Sequence, residues 1–289
     1  MPDLWSHIIG GDMVVDELED RGLSNLILEH RNYYNLGTQG PDFFFYNDFW
    51  PWIKDKRGPS IGAIIHSKRQ ADFVLDAFEI LKEKEGSVQY PKTLAYFMGF
   101  VTHLVLDKKI HDIIDSRTRN NKEHKRFEME LDCILVENYY NEKCYKLKPD
   151  AYLNIGDNLD VLIKDIYYLN ITKLHEENID FKLINDSYQD ILKAQNILYS
   201  PFKVKAYILS FLNNFLSLDL DQYLYAKVNN YYLITKKDLE EIENTFPEFV
   251  SISKDLIKTL SLFLKSKRER KDVQKVVENH FGQGFFERR

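Results

Sequence analysis

The sequence predicts an all-α fold, a multi-helix bundle, on three observations. Apolar residues recur at helical spacing through most of the 289 residues. Alternation of the strand kind is scarce, and the run YYLIT at 231–235 is too short to change the class. Proline and capping residues mark helix starts, while glycine and short polar bridges mark the ends.

Taken in order, Pro2 and Asp3 suit a helix start, with the acid near the positive end of the helix dipole. Trp5, Ile8, Ile9, Val14, Val15 and Leu18 supply its apolar stripe, and His7 falls on this helix or its entry. A second helix is expected over residues 23–34. Residues 35–52, NLGTQGPDFFFYNDFWPW, read as a loop punctuated by Gly37, Gly40 and Pro41, which places Asp42 at a turn. Seven aromatic rings crowd the same stretch, so the loop is expected to fold inward and carry Asp42 with it; the simpler alternative is that Asp42 caps a turn. Residues 53–60 read as a basic loop, with His66 just before a helix over 67–84. Pro91 starts a long central helix reaching about residue 115. After a polar bridge over 116–122, the next helix runs to about residue 145. Further helices are expected near 157–175, 186–199, 201–216, 236–244, 247–264 and 272–280. The run KSKRERK at 265–271 reads as a solvated linker or helix face, the alternative being a patch for an anionic membrane.

Composition bounds the function. A hydrophobic share of 44% and a charged share of 29% describe an ordinary globular chain. The formal net charge of −6 argues against general affinity for a nucleic-acid backbone, so no stable nucleic-acid partner is expected. Cys133 and Cys144, both expected on a helix, match no zinc-finger spacing and imply no disulfide framework. No basic n-region or apolar h-region opens the chain, and no apolar run is long enough to span a bilayer. A cytoplasmic location is therefore the expectation.

The chemistry is concentrated between residues 90 and 131. His103, Asp107 and His111 stand at i, i+4 and i+8, so they share one stripe of the central helix. His124 and Glu128 repeat the i, i+4 spacing on the next helix. Each of these residues alone reads as a satisfied core histidine or a surface carboxylate. The surroundings decide otherwise: His103 and Asp107 are embedded in AYFMGFVTHLVL, and an uncompensated carboxylate buried there costs several kcal/mol. Converging nitrogen and oxygen donors are what a divalent ion requires. His30, His175 and His280 have no partner at that spacing and are left as surface or unassigned residues.

His7, Asp42 within GPD, His66, the 103/107/111 series and the 124/128 pair agree in residue type and order with a known pattern. In this the chain resembles the zinc-dependent phospholipase C family, whose fold is shared with single-strand-specific zinc nucleases. The resemblance implies a helical bundle around a buried cluster of two or three Zn²⁺ ions. By that analogy Asp42, His66, His103 and Asp107 hold one ion, and His111, His124 and Glu128 a second. A third takes His7, a bridging carboxylate from Asp107 and the chain's terminal amino group. The family's terminal residue is usually a tryptophan, whereas this chain begins at Met1 with Trp5 inside. The implied reaction is attack on phosphorus by a zinc-activated hydroxide, with Asp42 as general base or water-orienting group. Phe43 matches the aromatic that follows the loop aspartate in choline-preferring members; Ala63 stands where a second aromatic would complete the cage. The expected substrate is a phosphodiester, with a phospholipid as the leading candidate and contact with a membrane surface part of that reading.

A single domain over 1–289 is expected, with a metal-site half (1–145) and a helical half (146–289) that carries no recognised motif. Three other readings compete. The same fold can serve a nuclease or nucleotidase, for which an aromatic base-stacking slot would speak. The adjacent pair His111-Asp112 resembles that of HD-type phosphohydrolases but leaves His7, Asp42 and Glu128 unexplained. The protein can also be a catalytically inactive helical binding module stabilised by metal.

Overall fold

A computed structural model describes residues 4–282 apart from 51, 55, 217–223, 226, 227, 229 and 230. The expected start at Pro2 and Asp3 lies outside the described residues. Every regular element among them is helical. The first helices are α1 (Leu4–Asp16), α2 (Arg21–Glu29) and α3 (Arg31–Gly37), followed by a 3-10 helix over Gly40–Tyr46. Next come α4 (Arg57–Ser67), α5 (Gln70–Glu83), α6 (Tyr90–Arg117) and α7 (Asn121–Tyr140). A short 3-10 turn, Cys144–Lys146, leads to α8 (Asp150–Leu153), α9 (Val161–His175) and α10 (Phe181–Leu198). The chain continues as α11 (Val204–Leu216), α12 (Lys236–Leu264) and α13 (Arg270–Phe281). Both cysteines are free and buried, Cys133 on α7 and Cys144 at the start of the short turn.

The central helix α6 is apolar on every side between Thr93 and Leu106, and all of that stretch is buried. A helix of this kind can only be an axis with others wrapped around it. Helices α1, α3 and α12 pack against it, and one hydrophobic cluster draws side chains from Leu4 through to Phe281. The approach of α3 is close enough that a Cβ on Gly37 would sit 1.9 Å from the Tyr96 carbonyl oxygen, so only glycine fits there.

The structure departs from the sequence-based expectations in several places. The expected 23–34 helix breaks at His30 into α2 and α3. Asp42 lies inside the 3-10 helix rather than at an isolated turn. Residues 57–67 form helix α4, so His66 stands in a last helical turn and not in a loop. Pro59 falls in the first turn of α4, where a missing N–H costs nothing, and so does not oppose the helix. Finally, α12 runs unbroken through Pro247. An interior proline costs about 3 kcal/mol. Ile242, Phe246, Phe249, Val250, Leu256 and Ile257 bury one continuous face on both sides of it, which offsets that loss. The start of α12 is fixed by a capping box between Thr235 and Asp238.

Buried carboxylates tie these helices together. Glu130 on α7 accepts the backbone N–H groups of Tyr232 and Leu233 at 3.0 Å and of Ile234 at 3.3 Å, so the segment entering α12 is fixed to α7. Asp132, one turn beyond Glu128, accepts the N–H groups of Trp5 (2.9 Å) and Ser6 (2.7 Å) in the first turn of α1. Those amides have no partner within the helix, and a carboxylate there also meets the positive end of the dipole. Asp132 thereby sets the position of α1 one residue before His7.

Candidate metal centre

Five elements bring the donors together: α1 carries His7, the 3-10 helix Asp42, α4 His66, α6 His103, Asp107 and His111, and α7 His124 and Glu128. His7, Asp42, His103, Asp107, His111 and Glu128 are buried, while His66 and His124 lie at the edge. Donor atoms of His7, Asp42 and His103 fall within 4.8 Å of one another, as do those of His66, His103 and Asp107.

The geometry of the first set fixes which nitrogens face inward. His66 Nδ1 lies 2.8 Å from the Gly62 carbonyl oxygen, and His103 Nδ1 lies 3.1 Å from that of Thr38. A carbonyl only accepts, so each Nδ1 carries the hydrogen, and in the neutral ring Nε2 is left with its lone pair. The two Nε2 atoms are 3.3 Å apart, and Asp42 Oδ1 is 2.9 Å from that of His66 and 3.9 Å from that of His103. Two lone pairs and an anionic oxygen at this spacing repel unless a cation lies among them.

His7 adds the strongest sign of a missing partner. Its ring stacks 4.4 Å from that of His103, and neither ring nitrogen has a hydrogen-bond partner among the described residues. Burial, helped by the neighbouring His103, lowers its pKa to about 3, so the imidazole stays neutral and able to donate a lone pair. Burial alone would raise the Asp42 carboxyl, but His103 and His66 outweigh it and the group is held below its ordinary value. Asp107 lies well below its ordinary range because His111 and His103 offset the burial. The pocket thus combines ionised carboxylates with buried imidazoles, of which burial pushes His7 and His103 toward the neutral form while Asp42 outweighs burial at His66, a donor set that fits zinc.

The second set is arranged along α6 and α7. His111 Nε2 is 2.9 Å from Asp107 Oδ1, and the rings of His111 and His124 stack at 5.2 Å. His124 Nε2 meets Glu128 Oε1 at 2.8 Å, while its Nδ1 meets Asp115 Oδ1 at 3.1 Å. His111, Asp115 and His124 also place donor atoms within 4.8 Å of one another.

Asp115 and Asp132 were missed in the sequence although a signal was present. Asp115 continues the 103, 107, 111 series by one further step of four, and Asp132 does the same for 124 and 128. The carbonyls of Gly62 and Thr38 leave no such trace, because any residue supplies one. Phe43 is 1% exposed, with its ring stacked on Phe44 and edge-on to Tyr167. The aromatic beside the donors is Phe45, whose ring centre lies 5.6 Å from that of His66. His175, expected at the surface, is half-buried and its pKa is lowered to about 4 by burial.

Among the described residues no helix is long and apolar enough to cross a membrane. No curated protein and no solved structure matches the chain. Residues 6–177 do match the family described as zinc dependent phospholipase C, a span that contains all eight expected ligands and more than half the chain. A buried donor cluster of zinc-binding character and that match support a metal-dependent hydrolase of the phosphodiesterase kind, and the chain belongs to the zinc dependent phospholipase C family.

Proposed function

We propose that the protein hydrolyses the phosphodiester of a phospholipid head group as a zinc-dependent phospholipase C, within one domain spanning residues 1–289. The observation that carries this reading is the inward convergence of His66 Nε2, His103 Nε2 and Asp42 Oδ1, with both Nδ1 atoms anchored on carbonyls. In this reading Asp42, His66, His103 and Asp107 would hold one ion, and His111, His124 and Glu128 another. His7, with Asp107, would serve a third position. Bound zinc supplies Lewis-acid activation of water and neutralises charge on the phosphoryl oxygens.

The side chains do the rest. The Gly62 and Thr38 carbonyls hold two imidazoles in one tautomer, so no proton must move before a ligand bond forms. Asp115 does the same for His124. Asp42 stays ionised and so can take a proton at its carboxylate from the attacking water. Phe45, beside His66, shields that side of the centre from bulk water and offers a ring face to the head group, a role the buried Phe43 ring fills less well.

Turnover of bis-p-nitrophenyl phosphate and of a short-chain phosphatidylcholine tests the proposal. Activity should disappear with chelator, return with zinc, and be lost in His103→Ala and Asp107→Ala while His280→Ala behaves as the parent. Chelator-resistant turnover would contradict the mechanism. Cleavage of a single-stranded oligonucleotide in preference to the lipid would favour the nuclease reading.

A further inference from the structure

We infer that His111, Asp115 and His124 form an outer position for a divalent cation, through which zinc enters the centre. The inference rests on the metal-binding part of the proposed function, and adds to it the route by which buried positions are filled. Donor atoms of these three residues lie within 4.8 Å of one another, the same span that unites each of the inner sets. Asp115 stands outside the eight ligands that the resemblance implies. It differs from them in exposure. The Asp115 side chain, near the end of α6, is 49% exposed and that of His124 16%, whereas His111 is 3% and Glu128 0% exposed. Asp115 can therefore meet an ion that still holds most of its water and replace one water molecule at a time. Glu128 cannot reach into solvent, and a buried metal site needs an entry path.

The bonding of His124 suits a transfer from one position to the next. Its Nδ1 is 3.1 Å from Asp115 Oδ1 and its Nε2 is 2.8 Å from Glu128 Oε1. At His66 and His103 a carbonyl keeps the hydrogen on Nδ1, so only Nε2 is offered to a metal. At His124 both neighbours are carboxylates, and a carboxylate either accepts a ring hydrogen or holds an ion. Either nitrogen can then carry the lone pair. On Nδ1 it serves the outer position with Asp115, and on Nε2 the inner one with Glu128. A neutral imidazole has a single such lone pair, so His124 serves the two positions in turn. As the ion passes inward the ring hydrogen moves from Nε2 to Nδ1 by way of water, with no net proton gained or lost. Asp115 then holds that hydrogen in the loaded protein.

Chemistry favours this edge of the centre over the other. At the opposite edge the ring of Phe45 stands beside His66, and an aromatic ring supplies no donor to replace a water molecule on zinc. At this edge the first group in solvent is an anion, which raises the local concentration of cations. Lys125 Nζ lies 3.8 Å from Glu128 Oε2 and balances that buried carboxylate until an ion takes its place.

Stopped-flow mixing of the metal-free, full-length protein with zinc, followed by an indicator dye, tests the inference, with dissociation into excess chelator measured separately. Asp115→Asn should slow association by about tenfold or more and leave dissociation close to that of the parent. Asp115→Glu keeps a carboxylate and should restore most of the association rate. Asp112→Asn removes the same charge from a neighbouring exposed position on α6 and should load as the parent does. In crystals of Glu128→Gln soaked with zinc, an anomalous peak between Asp115 and His124 is expected, because the ion then stays at the outer position. Unchanged association in Asp115→Asn, with the loss of affinity falling wholly on dissociation, would overturn the inference, since Asp115 would then only orient His124. Equal slowing in Asp112→Asn, or no peak beside Asp115 in the Glu128→Gln crystals, would overturn it as well. Zinc uptake by a parent without diester turnover would refute the phospholipase reading and leave the entry route standing. A parent that takes up no zinc would overturn both.

Discussion

Gly40→Ala should disable the centre without replacing a ligand. Gly40 has φ +52°, and a Cβ there would stand 2.1 Å from His103 Cδ2 and 2.7 Å from Nε2. Ordinary van der Waals contact begins at 3.4 Å, so the imidazole or the 3-10 helix must retreat by more than 1 Å. His103 is held on its far side by the Thr38 carbonyl and cannot tilt freely. Ligand distances tolerate roughly 0.2 Å, and a misplacement of about 1 Å can cost on the order of a hundredfold in rate. The left-handed backbone adds about 1–2 kcal/mol of strain for alanine. Gly86→Ala separates the two effects, because Gly86 also has positive φ (+90°) but a Cβ there meets nothing within 4 Å. Elemental analysis after dialysis, denaturant unfolding and kcat/KM on bis-p-nitrophenyl phosphate should be measured on both variants. Both should lose stability, and only Gly40→Ala should lose metal and turnover. Parental metal content and turnover in Gly40→Ala would refute the reasoning.

Three further outcomes are expected. Asp115→Asn should weaken metal retention by roughly 10- to 100-fold, because it removes the anionic partner of His124 Nδ1; competition with a zinc-indicator dye measures it, and unchanged affinity would remove Asp115 from the centre. Asp132→Ala leaves the Trp5 and Ser6 amides without their acceptor and should lower stability by about 2 kcal/mol in urea unfolding, with metal content falling as α1 loosens under His7. Asp76 is buried at the junction of α5, α9 and α13; burial raises its pKa, but Lys173 (2.6 Å) and Arg270 (2.8 Å) bring it below the ordinary 3.8. A carboxyl with a depressed folded-state pKa stabilises above its unfolded value and loses that contribution as pH falls. The thermal-stability gap between the parent and Asp76→Asn should therefore be full at pH 6–7 and close below about pH 4, and a gap independent of pH would show that the charge is not what matters.

Helical class and the metal stripe could be read from the sequence for the same reason. A period of four residues on two long apolar segments is a strong local signal, and burial in a core makes a carboxylate expensive unless a cation accompanies it. Where the reading stopped, the decisive information was not local. Helix α4 was hidden because Gly58 and Gly62 oppose a helix in isolation, while contact with the 3-10 helix stabilises it. The split expected at Pro247 followed from propensity, which the buried face of α12 outweighs. The tautomer-setting carbonyls of Gly62 and Thr38 are backbone atoms, and only the packing of α4 and α3 brings them to the rings. Asp115 and Asp132 were legible in principle, since both extend the i+4 series already recognised.

Anomalous diffraction at the zinc absorption edge, on crystals of the untreated protein, tests the central claim most directly. A peak bounded by Asp42, His66, His103 and Asp107 is expected, and it should vanish in His103→Ala crystals. No peak among those side chains at full zinc saturation, with diester turnover intact, would contradict the account.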